Sequence, residues 1–226
     1  MILSIETTGK TASVALTSDD GLLSEFVVCN RLTHSQNLLP LIDSMLSLSN
    51  IKKSSLEYIA VSAGPGSFTG LRIGAAVAKG MAFGLNIKLI AVSTLDVLAF
   101  NVCNSENLVI PIMDARRQQL YSAIYYKGKL LSDYMVLPIE DLIDKVLSFS
   151  KSAIFLGDGV PVCKDIIQNY TKFSISPVGL DIQRAAGVAT LALKLKDRAV
   201  MPKDFELFYI RESQAERARN GQKGCK

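Results

Sequence analysis

Residues 2–28 and 110–136 align without a gap at an offset of 108. Glu6 falls on Asp114, Ala15 on Ala123, and Leu22-Leu23-Ser24-Glu25-Phe26 on Leu130-Leu131-Ser132-Asp133-Tyr134. This repeat constrains the fold more than any local motif, because one plan has to serve both halves of the chain. Each copy reads as three strands joined by short turns, with an acidic residue closing the first strand and a glycine (Gly21, Gly128) at the second turn. Val61-Ser62-Ala63-Gly64-Pro65-Gly66 is echoed more faintly by Phe155-Leu156-Gly157-Asp158-Gly159. The simplest account is an α/β chain of two βββαβα lobes, 1–102 and 103–210, followed by a mobile basic tail over 211–226. No low-complexity linker separates the lobes, so the junction near residue 103 is expected to be packed.

The run Tyr58–Ala63 is apolar on both faces, as a buried parallel strand would be, and Gly64-Pro65-Gly66 breaks it. A helix follows, and Ser67 and Thr69 can accept hydrogen bonds from its free N–H groups. Two readings stay open. The glycines make a tight strand-to-helix turn, or the open helix end takes an anion, with Gly64, Gly66, Ser67, Thr69 and Gly70 as its contacts. Neither a dinucleotide fingerprint nor a Walker A loop is present: the sixth residue from Gly64 is Thr69, and Gly70 is followed by Leu71.

Gly74 and Gly80 inside the helix each cost about 1 kcal/mol against alanine, which some close approach should offset. Gly70, Gly74, Ala78 and Ala82 recur every four residues and form one side-chain-poor stripe. In the preceding helix, Leu38, Leu39, Leu41, Ile42, Met45, Leu46 and Leu48 cover about 180°, whereas core packing needs a stripe of about 100°. Part of that surface should meet a partner. Leu38, Leu41, Ile42 and Met45, with Gly70, Gly74 and Ala78, are the residues assigned to such an interface.

GPGSFTGLRIG resembles the signature of the TsaB (YeaZ) family. ILSIETTGKTASVAL is similar to that family's opening, although aspartate is more usual where Glu6 stands. His34-Ser35 with Leu38-Leu39-Pro40, Asp114-Ala115-Arg116-Arg117 with Tyr121, and more loosely Leu207–Arg211, extend the match along the chain. The resemblance implies a duplicated actin/hexokinase/Hsp70 ATPase-like (ribonuclease H-like) two-lobe fold. It also implies a non-catalytic role in placing threonylcarbamoyl on N6 of adenosine 37 in tRNA. The implied partners are the catalytic subunit TsaD, the TsaE ATPase through the complex, a second copy when alone, and tRNA only through the complex. In TsaB proteins, first-lobe helices make both the homodimer contact and the TsaD contact.

In catalytic members of that fold, nucleotide lies between the lobes and an acid ends each lobe's first strand. Glu6 and Asp114 stand there, and Thr7-Thr8-Gly9 could line a phosphate turn, with Glu6 and Thr8 as contacts. No two glycines are adjacent anywhere, so the glycine pair that holds adenosine in those enzymes is missing. The two acids therefore read as relics or strand-end structural groups. No cofactor is required, and ATP or ADP at the subunit contact is the alternative. The runner-up function is a stand-alone ATPase or small-molecule kinase.

His34, the one histidine, lacks the second histidine that TsaD uses for metal: Leu38 stands four residues on. It is expected to act locally at the first helix's start. No metal site is expected, since the four cysteines are scattered with no CxxC. Ser67 lacks the x-Gly of a nucleophile elbow, which removes a serine-peptidase reading. Net charge is +4, of which the tail from Arg211 carries +3, leaving a nearly neutral body that cannot grip tRNA alone. Met1 leads straight into a strand with no signal-like or membrane-spanning stretch, and a cytoplasmic location is expected.

Overall fold

The computed structural model describes residues 1–30 and 32–210. The first lobe comprises β1 (Ile2–Glu6), β2 (Ala12–Ser18), β3 (Gly21–Val28), α1 (His34–Leu48), β4 (Tyr58–Gly64), α2 (Phe68–Leu85), β5 (Lys88–Ser93) and α3 (Thr94–Phe100). The second comprises β6 (Leu108–Arg116), β7 (Gln119–Ser122), β8 (Tyr125–Tyr126), β9 (Lys129–Leu130), β10 (Met135–Leu137), α4 (Ile139–Ser148), β11 (Ala153–Leu156), α5 (Val160–Gln168), β12 (Phe173–Ile175) and α6 (Ala185–Leu193). The sheet orders, β3-β2-β1-β4-β5 and β10-β7-β6-β11-β12, are the same plan twice. The fainter echo holds as well: Gly64 and Gly157 both have left-handed φ, +123° and +112°, where a strand turns into a helix.

The second copy departs from three unbroken strands. β7 and β8 lie in one register along β6 (Ile112↔Ser122, Val109↔Tyr125), yet pairing lapses opposite Pro111. Proline has no N–H to give the ladder, and Ser122 Oγ donates to the Pro111 carbonyl at 2.9 Å. The third strand is also split, since β9 pairs with β8 (Tyr125↔Leu130) and β10 with β7 (Met135↔Ser122). Two extra residues are thus looped out, held by Leu131 N to Ile124 O at 2.8 Å and Ile124 N to Ser132 Oγ at 3.0 Å.

Helices cover both faces of each sheet. α1 and α2 pack on one face of the first sheet through Leu38, Ile42, Met45, Ala75, Ala78 and Ala82. α4 and α5 pack on one face of the second through Leu142, Ile143, Val146, Cys163 and Ile167. The remaining faces are covered reciprocally. α6, late in the expected 103–210 lobe, lies on the first sheet (Ala185 and Ala189 on Ala15; Val188 and Ala192 near Ile2, Ala60 and Ile90). α3 lies on the second sheet, with Leu95, Leu98 and Ala99 against Val109, Met113 and Tyr125. Val102 packs on the second lobe's cluster, α6 belongs to the first lobe's core, and α3 lies between the two sheets, with Val97 on the first-lobe side.

α6 starts at Ala185. Asn101 Nδ2 donates to the carbonyls of Leu180 and Ile182, both at 2.9 Å, and Arg184 is extended (φ −133°). Glu25 then anchors the helix start, accepting from Ala186 N at 2.8 Å and from the Arg184 guanidinium. Beyond α6 the chain returns across the first lobe: Val200 bridges Leu89, Lys79 Nζ donates to Phe205 O at 3.1 Å, and Phe208 N donates to Ala63 O at 2.8 Å.

Candidate functional site

The glycine loop is packed against its own chain. A Cβ on Gly64 would meet the Phe208 carbonyl, one on Gly66 would meet Thr8, and one on Gly70 the Thr7 carbonyl. Ser67 N donates to Thr8 O at 2.8 Å, and Thr7 Oγ1 to Gly70 O at 2.8 Å. Ser67 caps α2, its Oγ accepting from Gly70 N at 3.3 Å, while Thr69 is exposed. Of the two readings left open, close backbone approach accounts for these glycines.

Glu6 is fully buried at the end of β1. One carboxylate oxygen accepts from Thr8 N and Thr8 Oγ1, both at 2.6 Å, and the other from Ser62 Oγ. Burial holds its pKa above the ordinary glutamate range, and the Ser62 and Thr8 hydrogen bonds oppose that only in part. Glu6 thus closes the Thr7–Thr8 turn and has no face toward solvent. A raised folded-state pKa makes the protein bind a proton more readily than the unfolded chain does. The associated stability is complete below the ordinary glutamate pKa and declines as pH rises through the folded value. Glu6→Gln is expected to remove this dependence, so the stability of Glu6→Gln relative to wild type should rise with pH across that window. Urea melts at several pH values check this, and parallel curves would exclude it.

Asp114 takes the equivalent place in the second sheet but is exposed, accepting from Arg116 N at 2.7 Å. Its own N–H donates to Asp158 Oδ1 at 3.4 Å. Burial raises the Asp158 pKa, against partial relief from hydrogen bonding and from Lys10. The repeat places two acids at matching strand ends; the fold buries one and exposes the other. His34, the first residue of α1, does not act within its own helix: its Nε2 lies 3.0 Å from the Gly9 carbonyl, in the turn between β1 and β2. Among the described residues no group of three or more His, Cys, Asp or Glu is placed to hold a metal. No described helix is long and apolar enough to cross a membrane. The basic tail over 211–226 lies outside the described residues.

The interface assignment needs correction. Leu38, Ile42 and Met45 are at most 1% exposed and belong to the core, and Leu41 is half-buried against it. Gly70, Gly74 and Ala78 are buried too, so the stripe serves the chain's own sheet: Thr7 Oγ1 takes the space a Gly74 Cβ would need. The apolar side chains left open lie on the outer face of α2 and on the two flanks of α1. Leu39, Leu48 and Phe83 are 50%, 78% and 81% exposed, and nothing lies within 4 Å of a Cβ built on Gly80 or Gly84. Helical periodicity had marked the breadth of the α1 surface but not which half the sheet would claim.

Two features escaped sequence reading. Phe68, from the glycine loop, stacks under Arg72 at 3.8 Å and faces Tyr209 at 5.7 Å. Asp96, in the first turn of α3, accepts from the hydroxyls of Tyr125 and Tyr134, the latter at 2.8 Å, tying the lobes together. Burial, with the Asp96 charge in support, pushes the Tyr134 pKa up to about 12. The Phe68–Arg72 pair is one helical turn apart on α2, but Tyr209 and the two tyrosines on Asp96 are far away in sequence and leave no local signal.

The chain matches the family model described as TsaD, tRNA N6-adenosine threonylcarbamoyltransferase, over residues 29–217. It is 34% identical to the tRNA threonylcarbamoyladenosine biosynthesis protein TsaB of Bacillus subtilis over 174 residues, 74% of this chain and 75% of that protein. To TsaB of Escherichia coli it is 37% identical over 130 residues, 57% of this chain and little over half (56%) of that protein. Among solved structures, YeaZ from Pseudomonas aeruginosa superposes with a TM-score of 0.80 at 27% identity, covering 92% of this chain and 99% of that one. The ethanolamine utilization protein EutJ from Carboxydothermus hydrogenoformans (TM-score 0.54, 11% identity, 83% of this chain and 88% of that one) shares the fold alone. So does an activator of 2-hydroxyisocaproyl-CoA dehydratase from Clostridium difficile solved with ADPNP (0.53, 9% identity, 92% and 99%). The architecture is the duplicated two-lobe ATPase-like fold.

Proposed function

Since the chain belongs to the TsaB (YeaZ) family, within the TsaD family model, and takes part in t6A biosynthesis, we propose that it is an accessory subunit that binds and activates the TsaD transferase. The observation that carries this is the outer face of α2. There Phe83 stands largely in solvent beside Gly80 and Gly84, two helix-weakening residues that nothing in the described chain approaches. Leu39 and Leu48 add exposed apolar side chains on the two flanks of α1. A partner helix laid on the α2 face would offset the cost of its glycines and cover Phe83. On this reading the transfer chemistry belongs to TsaD, and this chain needs no cofactor. A second copy would cover the same face when TsaD is absent. TsaE and tRNA would join through the complex, in the cytoplasm.

The test is tRNA modification by TsaD with threonylcarbamoyl-AMP supplied, with and without this chain. The expected result is strong dependence on the chain and none of the activity from the chain alone. Modification by the chain by itself would overturn the non-catalytic role. No effect on a TsaD shown competent with another TsaB would overturn the accessory role, and nucleotide turnover by the chain would then favour the stand-alone ATPase. Dependence of the complex on added ADP would place a nucleotide at the subunit contact.

A further inference from the structure

β10 is hydrogen-bonded on one side only, to β7, and is the outer strand of the second sheet. Met135, Val136 and Leu137 all line an open groove of about 610 Å³, together with Ile124, Lys145 and Phe149 among others. The volume is in the range of ligand sites, roughly 300–1,000 Å³. The strand carries no charged side chain and no proline of the kind that normally blunts an edge. Ser132 and Asp133, between β9 and β10, line the groove, and Lys145, Ser148 and Phe149 from the end of α4 form its other wall.

We propose that this groove binds an extended peptide by strand addition to β10, and that the peptide carries apolar residues flanked by Lys or Arg. The occupant's class follows from the edge itself, because only a polypeptide offers an alternating row of N–H and C=O groups to an unpaired strand. Its side chains on one face would meet Met135 and Phe149, apolar lining residues with exposed surface, with Ile124 and Leu137 buried beneath them. Its charge follows from the rim. Asp133 lines the groove, and Asp141 and Asp144 lie one helical turn before Lys145 and Ser148 on the face of α4 that forms the wall, against the single lysine. Three residues of β10 span about 10 Å, so three or four residues of the peptide suffice. This surface is on the second lobe, away from α1 and α2, and the proposal does not rest on the TsaD reading.

The experiment titrates the intact protein with a capped valine–threonine hexapeptide bearing a lysine at each end, followed by amide NMR. Shifts centred on Met135–Leu137 and Phe149 are expected. N-methylation of one alternate set of peptide residues should abolish them and of the other set should be tolerated, because only one set faces the edge. Asp133→Lys should weaken binding about fivefold, and Lys145→Glu should tighten it by a similar factor, both exposed positions being neutral to folding. No shift at β10 up to about 1 mM peptide would overturn the proposal. Equal tolerance of both N-methylated sets would overturn it too, as apolar adhesion without strand pairing, and so would a preference for a glutamate-bearing peptide.

Discussion

Leu38→Asp is expected to leave the protein largely unfolded, while Leu39→Asp, one residue away, folds normally and loses its partner. Leu38 is 0% exposed beneath α1, so the substitution removes about 2–5 kcal/mol of packing and adds a charge with no counter-ion. Total stabilities of about 5–15 kcal/mol seldom survive that combination. Leu39 is half exposed and Leu48 more so; aspartate there should change stability by about 0.5 kcal/mol or less. The readouts are circular dichroism with urea melts for folding, and sedimentation with TsaD for binding. A folded Leu38→Asp protein of near-normal midpoint would show that the side chain is not core. Full TsaD binding by the Leu39→Asp, Leu48→Asp double variant, which alters both flanks of α1, would remove this helix from the interface.

Gly70→Val should be almost as damaging, against what helix propensity alone predicts. Within a helix, valine is preferred to glycine by several tenths of a kcal/mol. At this position, however, a Cβ would press into the Thr7 carbonyl, a main-chain atom already fixed by the β1 ladder and the Glu6 turn. Overpacking of this kind costs about 1–3 kcal/mol even where side chains can yield, and a backbone carbonyl cannot. We expect a loss of about 3 kcal/mol or more. Gly80→Ala is the matched control: its Cβ would enter open space, and stability should rise by up to about 1 kcal/mol. Chemical denaturation of the two variants side by side checks the contrast, and equal effects would refute the packing explanation.

Much of the fold was legible before any coordinates. The repeat at an offset of 108 anticipates two sheets of the same strand order, because period and turn residues are local properties that survive in each copy. The buried run before Gly64, the Ser67 cap and the small-residue helix were readable for the same reason. Less legible were the breaks in the second copy. Pro111 was visible in the sequence, but its effect appears only opposite Ala123, on the neighbouring strand.

The site was less readable than the fold. Glu6 and Asp114 are equivalent by repeat and opposite by environment: Thr8 N and Arg116 N close matching turns on the two acids, but Thr8 Oγ1 and Ser62 Oγ also cover Glu6, while Asp114 stays exposed. The α1 apolar surface could be counted from sequence, yet which half faces β2 and which faces outward depends on the rotation of the helix over the sheet.

The amino-acid sequence by itself thus determined the main elements of the first copy, the duplicated strand order and the family. All of these rest on residue spacing within short windows. Only the tertiary structure decided which residues are interior. Gly70 and Gly74 lie under Thr7, α6 covers the first sheet, α3 lies between the two sheets, and β10 keeps an open edge. The physical reason is the same in each case: burial is a property of pairs of segments brought together, and spacing along one segment cannot specify its partner.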